Sequence, residues 1–174
     1  MNRHKGFSLI ELIVVMSIVA VLGTTLVLNF RSSATNTAAR HQVAFTVSSD
    51  LRRAQSMAVS ESGHQGTPAC GFGLHYVSPT RYQIFAHILG GASCGMKTYQ
   101  PGDPIIETKN IQNSAMSFKE SFADVYFELP YAKAYLGGDS DPSQAPVTIE
   151  IVVTGEVAGT VLSVHQSGKI DVTN

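Results

Sequence analysis

Glu11 is the residue whose position most needs a chemical explanation. It stands at the head of an apolar run, Leu12–Phe30, that holds nineteen residues without a charge. A carboxylate inside hydrocarbon costs roughly 2.5–3.5 kcal/mol near the bilayer centre, less towards the edge, so it calls for a named partner. A cut between Gly6 and Phe7 would supply one. The new α-amino group would lie four residues before Glu11, and the same amine on a neighbouring copy could neutralise the acid as helices come together.

Other reactive side chains are sparse. Cys70 and Cys94 are the two thiols, and the six histidines are scattered along the chain. His75 and His87 fall where adjacent hairpin strands could bring them together, yet no zinc-type spacing surrounds them, and hydrogen-bonded imidazoles are the simpler expectation. Asp139 and Asp141, in Gly137-Gly138-Asp139-Ser140-Asp141-Pro142, put two carboxylates in an oxygen-rich loop and are weak calcium candidates, because no bidentate acid follows at a suitable distance. There is no nucleophile elbow, phosphate loop or helical histidine pair. No metal, cofactor or catalytic residue is expected, and the chain reads as a non-enzyme.

The elements that position these residues follow from composition. The 174 residues are 44% hydrophobic and 14% charged, which excludes disorder driven by low hydrophobicity. A net charge of −1 excludes a generally basic nucleic-acid binder. Residues 1–53 carry six Lys or Arg against two acids, whereas the remainder carries six against eleven. A basic stem precedes an acidic head.

About twenty helical residues cross a ~30 Å hydrocarbon layer, so residues 7–30 read as a membrane span rather than a buried core helix. Two processing schemes compete there. In one, Arg3 and Lys5 head an ordinary signal peptide cut near Gly23; in the other, the cut follows Gly6 and the span is kept. Glu11 favours the second. Arg31 and Arg40 almost balance Arg3 and Lys5, so charge bias alone leaves the orientation open.

Past the span, Val43, Val47, Leu51, Ala54 and Ala58 recur on one helical face, opposite Arg40, Ser49, Arg52, Arg53 and Gln55. The helix should stop near Ser62-Gly63. Beyond it, seven strand-like runs are expected: Phe72–Val77, Tyr82–Ile88, Ile105–Ile111, Val125–Leu129, Val147–Val153, Thr160–His165 and Lys169–Val172. Their succession without helices implies a mainly antiparallel sheet, half solvated, packed on the amphipathic helix. Tyr126, Phe127, Tyr131 and Tyr135 are expected in its core more than in a partner-binding patch.

The string Lys5-Gly6-Phe7-Ser8-Leu9-Ile10-Glu11-Leu12 with its apolar run resembles the class III signal of type IV pilins and of the pseudopilins of type II secretion. That resemblance implies cleavage after Gly6 by a prepilin peptidase, N-methylation of Phe7, and a docking role for Glu11. It also implies a structural subunit with an α+β pilin-like fold: leader 1–6, transmembrane and assembly half 7–30, amphipathic half 31–62 and β-rich head 63–174. Implied partners are other pilin or pseudopilin subunits, an inner-membrane assembly platform and, before assembly, membrane lipid, with the head outside the cytoplasm. Many pilins have a helix-breaking proline in the span; Leu28 stands where it usually falls.

The head resembles the GspH/FimT family of minor pilins and pseudopilins through Asp50-Leu51-Arg52-Arg53-Ala54-Gln55-Ser56-Met57-Ala58, Gly71-Phe72-Gly73-Leu74, Tyr82-Gln83-Ile84-Phe85 and Ser167-Gly168-Lys169-Ile170. Some members bind DNA through a C-terminal motif of glycine and basic residues. Gly168-Lys169-Ile170-Asp171 retains one basic residue and adds an acid, which argues against nucleic acid as a partner and leaves Lys169 as a solvated strand residue. An exported head lies in an oxidising compartment, so a Cys70–Cys94 bridge is expected; closing a loop of about 25 residues would stabilise by roughly 3–4 kcal/mol.

Overall fold

The computed structural model describes residues 9–60, 63–64, 66–88, 94–138, 141, 143–156 and 158–173, with helix side chains described to residue 25 and again from residue 35. The chain divides into two units, Met1–Ala38 and Ala39–Asn174. Helix α1 covers Leu9–Val59. Nine strands follow: β1 Ala69–Ser78, β2 Arg81–Ile88, β3 Ile105–Asn110, β4 Met116–Phe118, β5 Val125–Glu128, β6 Lys133–Leu136, β7 Val147–Val153, β8 Thr160–Val164 and β9 Ile170–Thr173. The described pairings are all antiparallel, giving an α+β, pilin-like arrangement.

Two sheets form where one was expected. Five strands pair in the order β3-β2-β1-β5-β6, and four in the order β4-β7-β8-β9. Strands β4 and β6 were not expected from the sequence. The first has three residues and the second four, too short for alternation to stand out. Strand β7 follows its alternation in part: Val147 is only half-buried and the even-numbered Val152 is buried. In β7, Ile149, Ile151 and Val153 are buried while Thr148 is exposed.

In the Ala39–Asn174 unit the helix contributes Ala44, Val47, Leu51, Ala54 and Ala58 to the core, all with zero exposure. Val43 is only half-buried, and Ala44 takes its place at the head of the stripe. The same core takes Phe72, Leu74, Ile84 and Phe127 from the five-stranded sheet and Ile149, Ile151 and Leu162 from the other. One polar pair is buried among them: the Tyr82 hydroxyl donates to Asp50 Oδ2 at 2.6 Å. Burial, then the adjacent Asp50, pushes the Tyr82 hydroxyl far above its usual range, so it remains a donor. The helix is further tied to the head by Arg40, whose guanidinium reaches Glu156 at 2.7 Å and the Ala158 carbonyl at 2.6 Å.

The five-stranded sheet is not half solvated. Five consecutive β1 residues, Cys70–Leu74, are buried, as are Ile84, Phe85 and Ala86 in β2 and Val125, Tyr126 and Phe127 in β5. Consecutive burial in a strand means that both faces are covered. The outer face, away from the helix, carries Phe85 and Tyr126, which lie outside the main core cluster. Gly73 sits between them in register, paired with Phe85 on one side and Tyr126 on the other. A Cβ on Gly73 would stand 2.6 Å from Phe85 Cζ, so only glycine leaves room for the ring. The cover is the segment 94–104 between β2 and β3.

Candidate assembly surface

In the Met1–Ala38 unit the described side chains present an apolar helix surface. Leu9, Ile10, Leu12, Ile13, Val14, Val15, Met16, Ile18, Val19, Val21 and Leu22 are all at least half exposed. The hydroxyls in this stretch are satisfied locally. Ser17 donates to the Val14 carbonyl at 2.7 Å, Thr24 to Val21 at 2.8 Å and Thr25 to Leu22 at 2.9 Å. Such back-bonding leaves these hydroxyls no unmet donor, which suits them to a lipid or helix-packed environment. Glu11 lies in the first turn of the described helix. Gly6 and Phe7 lie outside the described residues, as do the side chains of residues 26–30. Among the described residues no helix is long and apolar enough to cross a membrane.

The head contains the remaining candidates. Cys70 and Cys94 are joined, with their Cα atoms 5.6 Å apart. His75 and His87 do not meet: His75 pairs across from Gln83, and His87 across from Gly71, four register places away. Each faces its own carboxylate instead, His75 Nδ1 at 2.7 Å from Asp124 and His87 Nδ1 at 2.9 Å from Asp103. Asp141 accepts from the Ser143 amide at 2.8 Å and hydroxyl at 2.7 Å, and these bonds hold its carboxyl below the usual carboxylate range. Asp139 is outside the described residues. Among the described residues no group of three metal-ligating side chains is assembled.

Lys169 is exposed but compensated. Its ammonium lies 2.8 Å from Asp171 Oδ2, and His165 Nε2 reaches the same oxygen at 3.1 Å. Asp171 thus removes the local positive charge that a phosphate backbone would need. Of the four aromatic candidates, Tyr126 and Phe127 are fully buried and Tyr135 half-buried, but Tyr131 is 89% exposed on the β5–β6 turn. Sequence reasoning missed one cluster. Lys97, Tyr99, Asp103, Asp124 and Glu128 converge on the outer sheet face, and the signal for it was the glycine pair Gly71 and Gly73, whose missing side chains leave space for rings above one strand face.

Residues 1–27 match the prokaryotic N-terminal methylation motif. No curated protein and no solved structure matches the chain.

Proposed function

We propose, from the premise that the methylation motif makes this chain a type IV pilin-like protein, that it is a minor pilin or type II secretion pseudopilin of the GspH/FimT kind. Proteins with this motif are structural subunits, processed by a prepilin peptidase and assembled with other pilin subunits. In our reading the leader is residues 1–6, the peptidase cuts between Gly6 and Phe7, and Phe7 becomes N-methylated. Residues 7–30 anchor the chain in the bacterial inner membrane with the head outside the cytoplasm, residues 31–62 join the span to the head, and residues 63–174 are the head. The assembly platform then extracts the subunit into a pilus or pseudopilus. No cofactor and no catalytic step enter this scheme.

The observation that carries the reading is the coincidence of the motif with an acid in the first helical turn and an exposed apolar helix behind it. A carboxylate there is costly in lipid, and pairing with the Phe7 amine of a neighbour offsets that cost. The bare apolar surface then exchanges lipid for other helices. The Lys169–Asp171 pair supports leaving DNA capture aside.

Intact mass and N-terminal sequencing of the chain extracted from membranes test this reading. A mature chain that begins at Phe7 with one added methyl is expected. A start near Thr24 would mean an ordinary secreted domain and end the proposal.

A further inference from the structure

The outer face of the five-stranded sheet is covered differently from its inner face. Its cover, residues 94–104, has no strand or helix of its own and lies over Phe85 and Tyr126. Tyr99 packs edge-on against Phe85 with centroids 5.4 Å apart and stacks on His75 at 4.3 Å. Lys97 lies over the rings of Tyr126 and Tyr135, at 5.8 and 5.1 Å, and pairs with Glu128. At its middle the Tyr99 amide donates to Asp124 at 2.8 Å, and towards its far end Asp103 meets His87. Most of these ties are polar contacts between half-buried groups. The one covalent tie is Cys94 to Cys70 at the start of β1.

The covalent tie and the first polar tie are coupled through one residue. The Cys94 carbonyl accepts a 2.7 Å hydrogen bond from the Lys97 ammonium, which also reaches Glu128. Holding Cys94 therefore positions the charge that sits over the Tyr126 and Tyr135 rings. Freeing Cys94 removes that carbonyl from its place, and the entropy of ordering the segment then falls on the remaining half-buried polar contacts and the Tyr99–Phe85 ring packing.

We propose that residues 94–104 are an oxidation-locked cover: the Cys70–Cys94 bridge closes the segment over an aromatic sheet face that the reduced head leaves bare. Closure is a thiol–disulfide exchange. The two thiols give up two protons and two electrons to an incoming disulfide, which leaves as two thiols while one S–S bond forms between Cys70 and Cys94. The main core, built on the helix and the inner sheet faces, folds in either state. The reduced chain consequently exposes Phe85 and Tyr126 as a sticky patch, and oxidation removes it. This inference concerns the head alone and stands whether or not the pilin reading does.

Amide hydrogen exchange on the full chain in detergent tests it, comparing the oxidised protein, the same protein reduced, and the Cys70→Ser/Cys94→Ser variant. In both bridge-free forms the Tyr99 and Gln100 amides should exchange at least about tenfold faster, while amides of β7 and β8 keep their protection. A dye that brightens on exposed apolar surface should respond in the same samples. Unchanged protection at Tyr99 and Gln100 would overturn the proposal, because the polar ties would then suffice. An equal rise across β7, β8 and the cover would also overturn it, because the bridge would then be a staple for the whole head.

Discussion

The two faces of the five-stranded sheet are built from the same strands by opposite means. The inner face meets helix α1 through Leu74, Ile84 and Phe127 on the sheet side and Val47, Leu51 and Ala54 on the helix side, all without exposure. Its cohesion is mainly apolar and non-directional, with the buried Tyr82–Asp50 hydrogen bond set within it. The outer face is covered by a segment without regular structure, whose hold depends on rings, polar side-chain contacts and one disulfide. The contrast teaches that burial alone does not say how firmly a surface is closed: a packed helix and a pinned segment both give zero exposure, but only the second can be released piece by piece.

Leu51→Ala should strike hardest. It removes a fully buried side chain from between the helix and the sheet, and a loss of about 2–5 kcal/mol is expected in denaturant unfolding of the full chain in detergent, at every pH where the head is folded. A loss under about 0.5 kcal/mol would mean that the helix does not supply the inner core.

Glu128→Gln should act more weakly and only over part of the pH range. Burial by itself would raise the Glu128 carboxyl, but the Lys97 ammonium and the Tyr135 hydroxyl outweigh it and hold the carboxyl below its ordinary range. A group whose folded value is lowered stabilises the fold above its unfolded value, about 4.3 for a glutamate, and loses that contribution as pH falls through the lower folded value. The variant should therefore cost about 1–2 kcal/mol at neutral pH, with the gap closing in acid. A gap that persists unchanged to about pH 2 would place the effect in packing rather than in the ion pair.

The inner face was legible in the sequence because its signals are local. The helical stripe from Val47 to Ala58 repeats at the helix's own period, so its burial could be read off the spacing. The Lys5–Leu12 string was legible for a different reason: glycine, aromatic and acid stand at fixed offsets within eight residues. The outer cover was not legible. His75 meets Asp124 across 49 residues and Lys97 meets Glu128 across 31, and nothing local to either partner announces the other. Asp103 and Asp124 look like ordinary loop acids in a run of turns, and the expected half-solvated sheet followed from missing them. Strands β4 and β6 escaped because three or four residues show too little alternation.

Assembly depends most heavily on Glu11, and the measurement that reaches it directly is the share of a Glu11→Ala chain found in sheared filaments relative to membranes, in cells that assemble the filament. Normal amounts in the membrane are expected, with at least about a tenfold fall in the filament fraction, the factor that about 1.4 kcal/mol of lost pairing represents. Equal incorporation of the variant and the parent chain would contradict that dependence.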